Sequence, residues 1–290
     1  MPRADVVIPT YNAGPSLRRA VDSALTLPMV ARVIVVDDGS SEPPQLAADP
    51  RLTVIRQQNA GPAAARNAGI DASTADWIIF CDADDALLPA IADSLALAEK
   101  HKAAACVSGR VEVFPDHSRH DRPAPEDWTG KPLASPGLIF KPIALFGTPG
   151  LIISRHAINK SGGGVRFDPT LHHGEDRDFI RRVAEVGPVA VSPALAVEYT
   201  KHPSDADNLN APRHMERRVR NFLTILDRHH DAESGPYFRE SALWLLNASS
   251  KARVPASSWD ALIAAFHVHN WAVPIKPRLR RFLRRPPRAA

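Results

Sequence analysis

Asp82-Ala83-Asp84-Asp85 stands directly after the apolar run Trp77-Ile78-Ile79-Phe80-Cys81. The run reads as a buried strand, and three carboxylates crowded at its mouth repel one another. A hard cation with oxygen ligands relieves that repulsion. Mg²⁺ or Mn²⁺ suits such a site, and either ion can at the same time hold a diphosphate. A second acidic pair, Glu175-Asp176, opens a helical pattern downstream. A carboxylate there can take the proton of an attacking hydroxyl, although acids in a first helical turn also serve simply to complement the helix dipole. Between these clusters the chain offers Tyr11, whose ring can stack on a nucleobase or pack at a strand end. It also offers Asp38, which can accept a hydrogen bond from a base N–H or close an Asx-type turn with Gly39 and Ser40.

These side chains need a scaffold that brings them together. Asp5 to Pro9, Val33 to Asp37, Leu52 to Arg56 and Trp77 to Cys81 read as strands. They alternate with helical patterns at Ser16 to Leu25, with Ser16 as N-cap, at Gly61 to Ala72, opened by Gly61-Pro62, and at Pro89 to Lys100. Strands separated by helices imply βαβ units and a largely parallel sheet. Ligands of such sheets sit beyond the carboxyl ends of the strands, so the polar loops after the first, second and fourth strands face one crevice. Phe114 to Pro149 is rich in Pro, Asp and Gly and reads as loops with short strands, and Ser161 to Gly164 as a Gly run. A helix is expected from Glu175 to Val186, stopped by Gly187-Pro188. Short strands follow at Val189 to Val191 and Ala196 to Thr200. Helices with apolar spacing of three and four follow at Met215 to Leu226, Tyr237 to Ala248 and Ser257 to His269. In this reading Asp85 caps the helix that follows the acidic cluster, and His172-His173 and His229-His230 are loop or helix-end residues.

Composition narrows the class. The 290 residues are 44% hydrophobic and 23% charged, ordinary for a globular protein. No apolar run of about 18 residues suggests a spanning helix, and Val6-Val7-Ile8 begins a strand without a signal-peptide layout. Cys81 and Cys106 both lie in apolar runs and read as small core residues rather than a disulfide or zinc set. A cytoplasmic chain is expected. The net charge is +4, yet Lys276 to Arg288 alone holds seven Lys or Arg and no acid, leaving −3 for the remainder. The basic character belongs to the tail, which argues against a nucleic-acid-binding face on the body. That tail, with Ile275, Leu279, Phe282 and Leu283 interspersed, suits peripheral contact with anionic lipid at the inner face of the cell membrane and equally suits a disordered basic segment.

Four segments fall in order along the first hundred residues. Val6-Val7-Ile8-Pro9-Thr10-Tyr11-Asn12 ends the first strand, and Val33-Ile34-Val35-Val36-Asp37-Asp38-Gly39-Ser40 the second. Asn59-Ala60-Gly61-Pro62 leads to Ala65-Arg66-Asn67-Ala68-Gly69 on a helix, and Asp82-Ala83-Asp84-Asp85 closes the fourth strand. At these residues the chain resembles the family 2 inverting glycosyltransferases over roughly residues 4 to 202. The resemblance implies an α/β fold: a Rossmann-like, nucleotide-binding glycosyltransferase A fold with a mostly parallel mixed sheet, here followed by a C-terminal helical extension. It divides the chain into a catalytic domain over 1–205 (nucleotide-sugar-binding half 1–114, acceptor-side half 115–205), a helical extension over 206–273 and a basic tail over 274–290.

It also implies roles. A nucleotide-sugar donor, with UDP-sugars favoured by family habit, would meet Pro9, Thr10, Tyr11, Asn12, Asp38, Gly61, Arg66, Asp82 and Asp84. Asp38 would contact the base, the Pro9-Thr10 backbone would line the pocket, and Arg66 would face phosphate or base unless it is a solvated helical charge. Asp84 would coordinate Mg²⁺ or Mn²⁺ directly. Asp82 would touch ribose or donor sugar, or reach the metal through water. His202, in Tyr199-Thr200-Lys201-His202, would complete the metal site or contact phosphate, unless it is a plain loop residue, and Lys201 is a phosphate contact or a solvated lysine. Gly162-Gly163-Gly164-Val165-Arg166-Phe167-Asp168 followed by His172-His173-Gly174-Glu175-Asp176 is similar to the acceptor-side segment, with Asp176 as base and Glu175 as the second choice. A helix N-terminus lowers the pKa of such a base, whereas a neighbouring acid and a diphosphate raise it.

The implied reaction is metal-assisted transfer of a sugar to a saccharide or lipid-linked acceptor hydroxyl in surface polysaccharide or glycolipid assembly. Two other classes compete. A nucleotidyltransferase would carry a Gly-rich basic loop where this chain has Pro9-Thr10-Tyr11-Asn12-Ala13-Gly14, and a non-catalytic nucleotide-sugar-binding module would lack one of the key acids. Donor sugar and acceptor have no linear signature, because hydroxyls are read by pocket shape, and no motif specifies an oligomeric state.

Overall fold

In the computed structural model, strand β1 (Ala4–Thr10) is buried along its whole length, as is β4 (Trp77–Phe80). Such continuously buried, largely apolar strands suit a parallel sheet covered on both faces. The structure describes residues 3–141, 145–159, 164–202, 214–232, 234–252 and 255–271. The basic tail therefore lies outside the described residues, as does most of the Gly run. Among the described residues no helix is long and apolar enough to cross a membrane.

Chain order runs β1, α1 (Ser16–Leu25), β2 (Val30–Asp37), β3 (Leu52–Arg56), α2 (Pro62–Ala72), β4, β5 (Ala86–Leu87) and α3 (Ile91–Lys100). It continues with β6 (Ala105–Val113), β7 (Arg119–Arg122), β8 (Lys131–Pro132), β9 (Ile152–Ser154), α4 (Arg155–Asn159), α5 (Glu175–Val186) and β10 (Val189–Thr200). Three helices follow: α6 (Met215–His229), α7 (Gly235–Ala252) and α8 (Ala256–Val268). One mixed sheet runs β3-β2-β1-β4-β9-β6-β10-β5, with β7 and β8 paired to β6 and β10. The β1–β2, β2–β3, β1–β4 and β6–β10 pairs are parallel, whereas β9 is antiparallel to both its neighbours, β4 and β6.

Alternation along β1 sorts the core. Val6 and Ile8 face α1 and α3 through Leu17, Val21 and Leu95. Val7 turns to the other face with Ala63 and Ile70 of α2 and Phe179, Ile180 and Val183 of α5. A Cβ on Gly69 would come within 2.2 Å of Val7 Cγ1. Glycine is what lets α2 sit this close to the sheet. Cys81 and Cys106 are buried free thiols, as expected.

Several sequence expectations need correction. Ser16 is the first residue of α1 rather than its cap, and Pro15 holds the N-cap position. Asp85 does not cap α3, which begins six residues later; its carboxylate instead accepts from the Thr200 amide at 2.8 Å. The two short strands around residue 193 are one strand, β10, carrying register shifts between Ser192 and Leu195 and between Leu195 and Val197. Each shift disturbs the alternation that period-two reading relies on.

The C-terminal helices build a core of their own from Met215, Val219, Leu245, Leu246, Leu262 and Phe266. They also dock on the sheet domain, where Phe140 and Leu171 join Ile225, Leu226 and Phe238. A polar clamp reinforces this contact. Asp178 on α5, fully buried, accepts from Arg182 Nη2 (2.6 Å), from Arg228 Nη1 (3.2 Å) and from His229 Nε2 (2.9 Å) on α6. His229 is thus a helix-end residue with a buried structural bond. Burial by itself raises the carboxyl pKa of Asp178, but the His229 hydrogen bond and the Arg182 charge outweigh it and hold the group at about 2. A depressed carboxyl pKa adds stability that is complete above the unfolded value and fades as pH falls toward the folded one. Stability is therefore expected to decline between about pH 4 and pH 2 partly through this group. Asp178→Asn should flatten that slope in urea titrations. At pH 7 it should cost about 3–5 kcal/mol, the usual result of removing one partner from a buried ion pair.

Candidate active site

The carboxyl ends of β1, β2 and β4 open into a cleft of about 1990 Å³. Parallel register sets this up: Thr10 pairs with Asp37 and Val7 with Phe80, and the Asp38 amide donates to Thr10 O at 2.8 Å. Every residue singled out above as donor-binding, metal-binding or catalytic contributes to the wall of this cleft. Their packing partners differ from one another in informative ways.

On the β1–β2 side, Asn12 adopts a left-handed backbone (φ 52°). Its amide donates to Ser40 Oγ (2.9 Å), and its Oδ1 accepts from the Ser41 amide (2.9 Å). Asn12 therefore ties two strand-end loops together. Asp38 is buried and organises the segment that leads into α2, accepting from Gln57 Nε2 (2.8 Å), Ala60 N (2.9 Å) and Gly61 N (2.8 Å). The turn with Ser40 is made by Asp37 instead, whose Oδ1 accepts from the Ser40 amide at 2.9 Å. Tyr11 stands 55% exposed at the rim, so it is not a packing residue and its ring is open to a stacking partner.

Arg66 is not a solvated helical charge. It is buried, donating through Nη2 to Asp82 Oδ1 (2.9 Å) and through Nη1 to Glu175 Oε1 (3.3 Å). Its guanidinium lies 5.5 Å from the ring centre of Phe167, which itself stacks on Phe179 at 3.9 Å. Asp82 is thereby drawn toward Arg66, with Thr148 Oγ1 3.5 Å from its other oxygen. Asp84 points elsewhere: its Oδ2 lies 2.5 Å from His202 Nε2. The Asp84 carbonyl accepts from Arg19 Nη2 (2.5 Å) and from the Thr200 hydroxyl, and Arg19 also bonds Glu198 at 3.2 Å. The end of β10 and helix α1 thus grip the acidic loop. Lys201 is held near Glu112 (3.8 Å) at the cleft wall. The Asp85 carboxyl is pushed well above the carboxylate range by burial first and then by Asp82 and Asp84.

Gly174, just before α5, has φ 77°, a left-handed conformation natural to glycine. Glu175 and Asp176 then open α5, as the sequence suggested. Burial raises both carboxyl pKa values, Glu175 to about 7, where the charge of Asp176 adds to the effect and that of Arg66 opposes it. The Asp176 pKa is also raised by burial, against the opposing charge and backbone N–H of Arg177. Desolvation therefore beats the helix N-terminus here, and a raised pKa makes a better proton acceptor. Glu175 is occupied by Arg66, whereas Asp176 lies beside Gly147 on the open cleft.

Some cleft residues carry no motif. Thr148 of the cleft wall, and Arg19, which grips the acidic loop from outside the cleft lining, sit in stretches with no special pattern. Arg217 and Arg218 of α6 and Trp244 of α7 also line the cleft, so the helical extension forms part of the site. The one signal was Ala242-Leu243-Trp244-Leu245-Leu246. Five consecutive apolar residues advance too far around a helix to share a single core face.

The profile of glycosyl transferase family 2 matches residues 5–161, more than half of the chain, and the chain belongs to that family. Succinoglycan biosynthesis protein ExoO of Rhizobium meliloti is 28% identical, covering 98% of this chain and 88% of its relative. The pre-mycofactocin glycosyltransferase of Mycobacterium tuberculosis is 32% identical over 63% of this chain but only 39% of its own length. ExoU of Rhizobium meliloti is 33% identical over 63% of this chain and 57% of its own. The chain thus spans less than two thirds of these last two relatives. A crystal structure of S. aureus TarS 1-349 superimposes with a TM-score of 0.62 at 18% identity, covering 94% of this chain and 81% of that one. TarS 1-349 in complex with UDP-GlcNAc gives 0.56 at 17% identity, covering 90% and 83%. The fold is the glycosyltransferase A fold.

Removing the buried cation should expose the conflict it suppresses. Arg66→Met leaves Asp82 and Glu175 without their counter-charge and should cost about 3–5 kcal/mol at pH 8. The Glu175 pKa is raised in the fold, so the folded state holds a proton that the unfolded chain releases between about pH 4.5 and 7. Stability falls as pH rises through that window, and more steeply without Arg66. The deficit measured by urea unfolding should therefore be smaller at pH 5.5 than at pH 8.

Proposed function

We propose that the protein is an inverting glycosyltransferase that moves a sugar from a nucleotide-diphosphate sugar, preferably a UDP-sugar, to an acceptor hydroxyl. One observation carries the reading. The exposed ring of Tyr11, the Asp84–His202 pair and the raised-pKa Asp176 all line the same cleft. Family membership and the UDP-GlcNAc complex of TarS support the donor class. The likeness to ExoO supports a place in polysaccharide assembly.

The nucleoside lies in the β1–β2 end of the cleft, its base against Tyr11 and its amide edge toward Asp38. The acceptor oxygen attacks the anomeric carbon from the side opposite the diphosphate. As that C–O bond forms, the bond to the diphosphate oxygen breaks and its electron pair leaves with the nucleotide. The hydroxyl proton passes to Asp176. Glu175, held by Arg66, keeps the first turn of α5 in place.

Among the described residues no three His, Cys, Asp or Glu side chains converge as a ready metal cage. Mg²⁺ and Mn²⁺ in phosphate-handling sites use one or two protein donors and take the rest from phosphate and water. Asp84 and His202 offer one oxygen and one nitrogen donor, a set that suits Mn²⁺ and, through Asp84, Mg²⁺. A bound ion there supplies charge neutralisation for the leaving diphosphate.

Two substitutions separate the roles. Asp176→Asn should lower transfer by about 10²–10⁴-fold, the range for losing a positioned base, while UDP still raises the melting temperature as in the parent protein. Transfer surviving in Asp176→Asn would move the base elsewhere. Asp84→Ala should weaken UDP binding in the presence of Mn²⁺ and abolish the difference between Mn²⁺ and chelator in that thermal shift. An undiminished Mn²⁺ effect would remove Asp84 from the ion site.

A further inference from the structure

The cleft wall built by α6 and α7 carries its own chemistry. Trp244 on α7 is 50% exposed although it lines the cleft. The Arg218 guanidinium lies 4.5 Å from the Trp244 ring centre, and Arg217 lines the same wall. Both arginines sit one helical turn before Asn221. With its amide oxygen turned toward the preceding loop, Asn221 accepts from the amides of His172 (2.8 Å) and His173 (2.9 Å). Those two residues run directly into Gly174, Glu175 and Asp176. One turn of helix is about 5.4 Å, so the cationic pair stands beside the segment that carries the base. The charge of Arg218 is felt there: together with burial, which is the larger cause, it depresses the His173 pKa to about 4. Arg218 itself is pushed down to about 10 by burial. An arginine guanidinium can grip a ligand anion through two parallel N–H bonds.

We propose that α6 and α7 form the acceptor subsite, and that it selects a sugar bearing an anionic group. The pyranose ring lies on the open face of Trp244, and its phosphate or carboxylate pairs with Arg217 and Arg218. A sugar's C–H face is apolar and weakly positive, which matches the negative face of an indole ring. The inference rests on the transferase reading above, because it is the base at Asp176 that makes this wall the acceptor side.

The test uses the full chain saturated with UDP and Mn²⁺, with three probes measured by calorimetry: octyl glucoside, octyl glucuronide and octyl glucoside 6-phosphate. At least one charged probe should bind about tenfold more tightly than the neutral one, and which of them does so separates carboxylate from phosphate recognition. Arg217→Gln and Arg218→Gln should each erase most of that preference. Trp244→Ala should weaken all three probes, and Trp244→Phe should restore most of the loss. Arg217 is exposed, so its variant reports on binding even if the half-buried Arg218 position proves intolerant. Equal binding of neutral and charged probes, no binding of either charged probe, or a preference unchanged in Arg217→Gln would overturn the inference. The UDP-induced thermal shift, followed in the same variants, should not change. Its absence in the parent protein would defeat the donor reading while leaving the probe comparison readable.

Discussion

A single buried cation holds the two sides of the cleft at their working separation. Arg66 arises from α2, packed on β1 and β2, and bonds both Asp82 just after β4 and Glu175 at the start of α5. Each of those carboxylates would be costly in this environment alone. Together with Arg66 they form a bridge whose position is further set by the stacked Phe167 and Phe179 rings. The bridge leaves Asp84 and Asp176, which line the same cleft, free of that duty.

Electrostatics in the cleft follow from this arrangement. Burial raises the carboxyl pKa of Asp85, Glu175 and Asp176 together. Arg66 opposes that rise at Glu175 and Asp176, and the charge and backbone N–H of Arg177 oppose it at Asp176. The proposed donor is itself polyanionic and needs added positive charge there, which is the physical reason for proposing an ion at Asp84 and His202. Arg19 and Thr200 hold the Asp84 backbone from two different elements, so the acidic loop is positioned by the fold rather than by the ligand.

Much of the sheet and of the cleft lining was legible in the chain. Leu52–Arg56 and Glu175–Val186 have the bounds the pattern suggests, because apolar periodicity and stop signals such as Gly187-Pro188 are local. The acids at 82, 84 and 176 stand out because polar clusters at element ends have few packing explanations. The failures have non-local causes. That Arg66 is buried depends on carboxylates 16 and 109 residues away. The continuity of β10 through its irregularities depends on β6. Asp85 turns inward because Thr200, over a hundred residues later, offers it an amide. The contribution of Trp244 and Arg218 to the cleft follows from how α6 and α7 dock, through contacts no linear spacing encodes.

The reversed strand β9 has a consequence for how the chain acquires its shape. It is the element that joins β4 to β6, yet it is supplied by residues 152–154, well after both neighbours have been synthesised. Until it arrives, the parallel strands β3, β2, β1 and β4 end in an open apolar border, and β6 has nothing to bind on that side. A fragment that stopped before β9 would present an unpaired hydrophobic edge, a template for self-association. A three-residue strand from later in the chain thus closes the gap between β4 and β6, two strands that both come from the first 114 residues, and neither finishes its pairing without it.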